Sequence, residues 1–325
     1  MSNIYTVEAI IDYINKSVDK TMPNNQIKRI GDKKNNMVSV KPVAIGGVGG
    51  SGTRVIAEIL KQMNYYIGND LNDANDNLSF VILLNRSKWF LENNEENNKE
   101  IMKRFEIFER IMTGSFEPDH REIVYIIEAA RDCVFFNNLS GLWGINRIVN
   151  ILKSNQIDNS QHLGWGWKDP ATYLFIKHMK EYFKSYKYIH VIRHGLDMAY
   201  SKNILHLIWF GKLFGIVMPK DSAQLPKALL NFWIKANNQA INNAKQTLVK
   251  NFLLINFDEL CSNPKGQINK MLNFLEIDRE QVNINKLYLL PQKVKSIGRY
   301  KKHNLSIFDK KEIEEVKKLG FTVEG

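Results

Sequence analysis

Gly46–Arg54 reads GGVGGSGTR: five glycines in seven residues, hydroxyls at Ser51 and Thr53, and a guanidinium at Arg54. The β-branched run VSVKPVAIGG precedes it and TRVIAEILKQM, with apolar residues at helical spacing, follows, so the order is strand, tight loop, helix. Successive main-chain N–H groups and a helix N-terminus at such a place form a site for an anion. A tight turn alone needs fewer glycines. Gly47 and Gly52 have the spacing of a nucleoside-triphosphate loop. Thr53, however, stands where that loop needs lysine, and Arg54 where a hydroxyl would hold magnesium. Gly47, Gly49 and Gly52 also spell the dinucleotide fingerprint, with Asp70 near the position of a ribose-binding acid. An NAD-dependent oxidoreductase with a Rossmann-type domain is therefore the alternative reading.

The third reading is a phosphosulfate site, with main-chain donors from Gly49, Gly50, Ser51, Gly52 and Thr53 and side-chain donors from Ser51, Thr53 and Arg54. A second segment bears on it. YIHVIRHGLDMAYSKN, residues 188–203, is a strand ending in Arg193, with Ser201 expected at the start or first turn of a helix. A strand-end guanidinium and a helix hydroxyl can converge on one phosphate. Together the two segments resemble the signatures of the sulfotransferases that use 3'-phosphoadenosine 5'-phosphosulfate (PAPS). That resemblance implies that GSGTR holds the 5'-phosphosulfate and that Arg193 and Ser201 hold the 3'-phosphate. Two departures stand out. Gly50 occupies the position before S-G-T where many members have Lys or Arg, and His194 follows Arg193 where the family usually has Asp.

Three further stretches resemble the family in the expected order. GWGWKDP, 164–170, is similar to a Trp-rich Lys-x-Pro segment of bacterial members and implies an active-site Lys168. LLINFDELCSNPKGQINKMLNFLEI, 253–277, matches a structural strand and helix, and SIGRYKK, 296–302, a basic loop closing over the 3'-phosphate through Arg299 and Lys301. Sulfuryl transfer needs alignment, charge stabilisation at the leaving oxygen and removal of a proton from a hydroxyl acceptor. Arg54 and Lys168 are the candidates for charge. Asp76 is the candidate base by its place after the first loop and helix, as in carbohydrate sulfotransferases, with Asp70, Asp73 and Asp169 as alternatives. His190, inside a strand, is expected in the core, and His194 to serve the phosphate. Trp209, Phe210 and Phe214 line an acceptor pocket, stack on a sugar ring or, as ordinary for such residues, pack in the core.

These residues need a scaffold. Strands are expected at 187–193 and 251–257 and a shorter one in NYYIGND, with a long charged helix in LENNEENNKEIMKRFEIFERIM. Strands alternating with helices predict an α/β fold, a central parallel sheet flanked by helices, with the P-loop-like architecture that the resemblance implies. Residues 1–37 are expected to be a helical appendage and 38–325 a single domain. The chain has 325 residues and carries 45 Lys+Arg against 34 Asp+Glu, a net charge of +11, which suits an anionic partner. No basic stripe with interleaved aromatics suggests nucleic acid. Cys133 and Cys261 show no metal or disulfide spacing, no 18-residue apolar stretch occurs, and the N-terminus lacks a signal-peptide pattern. The expectation is a cytoplasmic transferase that uses PAPS without a metal and acts on an acceptor hydroxyl, a carbohydrate being favoured.

Overall fold

Strand β4, Lys187–Ile192, is buried along its whole length, as is β1, Val43–Gly46. Strands covered on both faces are the mark of an interior parallel sheet. The computed structural model describes residues 41–92, 94–131, 133, 141–152 and 162–324. The helical appendage expected over 1–37, and the strand start expected at 38, lie outside the described residues. The five-stranded sheet has the order β2-β3-β1-β4-β5, where β2 is Tyr65–Tyr66, β3 Gly164–Lys168 and β5 Phe252–Asn256. All four pairings are parallel.

Side-chain alternation divides the interior into two cores. Val43, Ile45, Ile189, Val191, Leu253 and Ile255 face one way, against Ile56, Ile59 and Leu60 of the helix Thr53–Gln62 and against Ile268, Met271 and Leu272 of the helix Pro264–Leu275. Ala44, Trp165, Trp167, Tyr188 and Ile192 face the other way, toward the helices Leu78–Leu84, Glu95–Thr113 and Leu225–Leu248. Trp167 stacks on Phe80 at 5.8 Å and meets Phe108 edge-on at 5.2 Å, so the Trp-rich segment is a packed interior strand that carries Lys168 at its C-terminal end.

The chain leaves β1 toward β2 and leaves β4 toward β5 on the opposite side, which opens a crevice at the C-terminal ends of β1 and β4. Register fixes the level of the parts: Ile45 is opposite Lys168 and Gly46 opposite His190, so β4 runs past the glycine loop before reaching Arg193. Two sequence expectations shift. The NYYIGND strand shrinks to two residues, because Gly68 takes a positive φ of 108° and turns the chain away. Ser201 lies after, not in, the helix Gly195–Ala199, which ends at Tyr200. Among the described residues, no helix is long and apolar enough to cross a membrane.

Candidate active site

The glycine loop is tied down at both ends: Gly47 N–H donates to Pro170 O at 3.0 Å, and Ser51 N–H to Val48 O at 2.9 Å. Gly50 and Gly52 adopt φ of 96° and 98°, in the left-handed region that disfavours side chains. A Cβ on Gly52 would also come within 2.1 Å of the Phe257 ring, which supports the loop from below. The helix Thr53–Gln62 starts with neither a side-chain cap nor an acidic residue in its first turn, so its leading amides keep their positive end for an anion. Ser51 contributes a buried hydroxyl that has no partner among the described residues. Arg54 is exposed and lines the adjoining cavity.

Arg193 reaches this loop from the tip of β4. Its guanidinium donates to Gly50 O at 3.4 Å and to Ser296 Oγ at 2.7 Å, and lies 5.2 Å from the Phe257 ring centroid. Arg193 is 9% exposed, and its buried Nε has no partner among the described residues. Burial lowers its pKa, with Asp258 and Asp197 opposing and Arg299 adding to the shift. The buried Asp197 draws the late basic loop in: Oδ2 accepts from Gly298 N–H at 2.8 Å and Oδ1 from Tyr300 N–H at 3.0 Å. Arg299 between them donates to Tyr200 O at 3.0 Å. Lys301 instead lies on the surface and pairs with Glu324 at 2.5 Å. Ser201 is half-buried beside this group, its Oγ accepting from Asn203 N–H at 3.1 Å. His194 serves the fold rather than an anion, because Nδ1 accepts from Leu196 N–H at 3.2 Å and Nε2 meets Thr322 O at 2.9 Å.

Across the loop stand Lys168 and Asp76, joined in an ion pair. Asn77 N–H donates to Lys168 O at 2.7 Å, which pins the preceding turn against the end of β3. Asn72 shapes that turn: Oδ1 accepts from Ala74 and Asp76 N–H, both at 2.9 Å, and Nδ2 donates to Asp76 Oδ2 at 2.8 Å. Lys168 also donates to Ala74 O at 3.1 Å, so two of its three N–H groups are used. The buried Asp169 accepts from Ala171 N–H at 2.8 Å. Burial, reinforced by Asp76 and opposed by Lys168, pushes its pKa up to about 7. Asp73 is exposed on the turn. Asp70 pairs with Arg147 at 2.6 Å and Asn150 at 2.9 Å, away from the glycine loop's amides.

His206 completes this side. Its Nδ1 accepts from Gly49 N–H at 3.2 Å, and burial holds its pKa down to about 4. The neutral ring then carries its proton on Nε2 and is a donor, not a base. His190 is a core residue, fully buried between Tyr188 at 2.7 Å and Asn237 at 2.9 Å. The glycine loop, the Lys168–Asp76 pair and His206 border a cavity of about 590 Å³, lined by Gly49, Gly50, Gly52–Val55, Ala74, Asp76, Lys168, Asp169, His206, Trp209 and Phe257 among others, with Arg193 behind the loop rather than in the lining. Trp209 faces the cavity, whereas Phe210 and Phe214 are in the core.

A model of the sulfotransferase family matches residues 42–281. The chain belongs to the sulfotransferase family. Similar solved structures include the sulfotransferase domain from the Synechococcus PCC 7002 olefin synthase, with 11% identity and a TM-score of 0.47, covering 87% of this chain and 96% of that one. The sulfotransferase domain from the curacin biosynthetic pathway has 14% identity and a TM-score of 0.46, covering 88% and 99%. The sulfotransferase STF1 from Mycobacterium tuberculosis H37Rv has 10% identity and a TM-score of 0.44, covering 95% and 82%. No curated protein matches.

Membership in the sulfotransferase family removes the oxidoreductase alternative, and the pairing of Asp70 with Arg147 and Asn150 agrees with that. Arg299 and Lys301 lie beyond the matched residues; their loop is tied to Arg193 directly through Ser296 and is held from the neighbouring helix by Asp197. Sequence reading missed His206, Asp197, Ser296 and Phe257. Asp197 lies inside the segment read for Arg193 and Ser201, four residues after the arginine, but nothing local marked it. His206 gave no local signal either, since its bond to Gly49 spans 157 positions.

Proposed function

We propose that this sulfotransferase moves a sulfuryl group from PAPS to an acceptor hydroxyl. PAPS supplies an activated sulfuryl group, whose bond to the 5'-phosphate oxygen breaks as a bond to the acceptor oxygen forms, leaving adenosine 3',5'-bisphosphate. The amides of Gly49–Thr53, the Ser51 and Thr53 side chains and Arg54 hold the phosphosulfate end. Arg193, Ser201 and Arg299 hold the 3'-phosphate, and Lys301 joins them by leaving Glu324.

Asp76 accepts the hydroxyl proton, and Lys168 lies against it to neutralise charge developing on the leaving oxygen. The Lys168 ammonium has one N–H free of the protein bonds described above for that purpose. His206 Nε2–H adds a neutral donor beside the loop. Residues remote from the reacting atoms do the aligning: Asn72 sets Asp76, and β3 sets Lys168. The sequence favours a carbohydrate as the hydroxyl bearer, on the position of Asp76 alone.

The observation that carries this reading is the contact of Arg193 with Gly50 O, its Nε buried and unpartnered. A buried guanidinium with an unused donor, 3.4 Å from an anion-binding loop, suits a nucleotide charged at two places. Titration calorimetry with adenosine 3',5'-bisphosphate tests it. Saturable binding that NAD does not compete with is expected, and absence of binding by the bisphosphate ends the reading.

A further inference from the structure

The donor reading divides the cavity, and the division bears on the acceptor. A nucleotide held at the glycine loop and at Arg193 would take the side of the cavity lined by Phe257, Leu290, Gln292 and Val294, the side toward Ser296 and its bond from Arg193. The opposite wall, Leu205, His206 and Trp209, remains for the acceptor. This wall belongs to the helix Leu205–Phe210. Its outer surface is apolar: Leu205 is 46% exposed and Ile208 49%. Ile216 N–H donates to Gly211 O at 2.9 Å and folds the chain back beside the helix, where Val217 is 69% and Met218 38% exposed.

Four large exposed apolar side chains fall within 14 residues, and one of them, Leu205, lines the cavity itself; such a group exceeds the single exposed apolar residues of an ordinary surface and marks a place where an apolar body is covered. Asn72, Asp76, Lys168 and Asp169 form one interacting polar cluster in the cavity, and Asn203 and His206 are the polar groups beside Leu205 and Trp209. A sugar ring needs hydrogen-bonding partners around its rim, whereas beyond Asn203 and His206, each with one polar atom already bonded to the main chain, this helix presents Leu205, Ile208 and the Trp209 ring.

Resting on the sulfotransferase reading above, we infer that the acceptor is an apolar alcohol, its hydroxyl at Asp76 and Lys168 and its hydrocarbon body along Leu205, Trp209, Ile208 and Val217. Transfer leaves a sulfate monoester of that alcohol, the proton passing to Asp76 and the bond to the 5'-phosphate oxygen breaking. Ile208 and Val217 act as specificity determinants and take no part in the chemistry.

The test measures binding of primary alcohols from 1-butanol to 1-decanol, and of glucose, to the full chain by calorimetry in the presence of adenosine 3',5'-bisphosphate. Affinity should rise with chain length by up to about fourfold per methylene, the factor for full burial of a methylene, and glucose should not bind. Ile208→Asn and Val217→Asn, at exposed positions, should flatten that dependence and leave bisphosphate affinity within about twofold, since neither touches the donor wall. A flat chain-length dependence, or glucose binding tighter than octanol, overturns the proposal. Loss of bisphosphate binding in the wild-type chain would instead sink the donor reading, and the alcohol series without nucleotide would still report on the apolar wall.

Discussion

The two walls of the cavity are built by different means. The donor wall is main chain backed by a fixed cation: a loop of left-handed glycines and an uncapped helix start, with Arg193 behind them clamped between Gly50 and Ser296. The opposite wall is side chains from distant segments: Asp76 from a turn, Lys168 from a strand tip, His206 and Trp209 from a short helix. Phosphate recognition uses groups every residue possesses, so it condenses into a compact motif. Acceptor recognition depends on shape and polarity, which many sequences can supply.

Breaking the chemistry of the side-chain wall should have the largest effect. Asp76→Asn is expected to lower kcat by about 10²–10⁴ and Lys168→Ala by about 10²–10³, in bisphosphate release with acceptor present. Because the two are ion-paired, the double variant should lose less than the product of the single losses. Both should bind adenosine 3',5'-bisphosphate nearly as the wild type does, and a matched loss of binding would show that the walls are not separate.

The donor wall answers differently. Arg193→Ala should weaken bisphosphate binding by about 10–150-fold, the range for loss of hydrogen bonds to a charged group of 1.5–3 kcal/mol, measured by calorimetry. Asp197→Asn sharpens the point, since it touches no ligand. Its amide can accept from only one of Gly298 and Tyr300, so the Arg299 loop loosens. A loss of about tenfold, one hydrogen bond's worth, is expected in the same titration.

The smallest effect is on stability. Asp169 has a folded-state pKa near 7, raised mainly by burial from an unfolded value near 4. The folded state therefore favours its protonated form, and that contribution is full below about pH 4 and is lost as pH rises through 7. Asp169→Asn keeps the acceptor for Ala171 N–H and removes the titration. The variant should gain a few degrees in melting temperature over wild type at pH 8 and none at pH 4, by differential scanning calorimetry. An equal gain at both pH values would mean that Asp169 does not titrate between them.

Much of the fold was legible in advance because it depends on patterns that are local. The runs KYIHVI and FLLIN are β-branched and aromatic stretches of strand length, and they form β4 and β5. Thr53–Gln62 and Glu95–Thr113 announce themselves by apolar residues at helical spacing. Where local pattern and tertiary demand part, the reading slips. NYYIGND looks like a longer strand, but it lies on the sheet edge and Gly68 bends it away after two residues. Ser201 looks helical until the helix stops at Ala199.

By itself the sequence determined the class of sheet, the anion loop and the guanidinium at the strand tip, because glycine density, β-branched runs and a terminal arginine are properties of contiguous residues. Only the tertiary structure decided that Lys168 faces Asp76 across 92 positions, that His206 holds Gly49 as a neutral donor, and that Asp197 fastens the loop of Arg299. Those pairings are side-chain encounters between segments that fold separately. No residue carries in its own neighbourhood a record of the partner that the packed sheet brings to it.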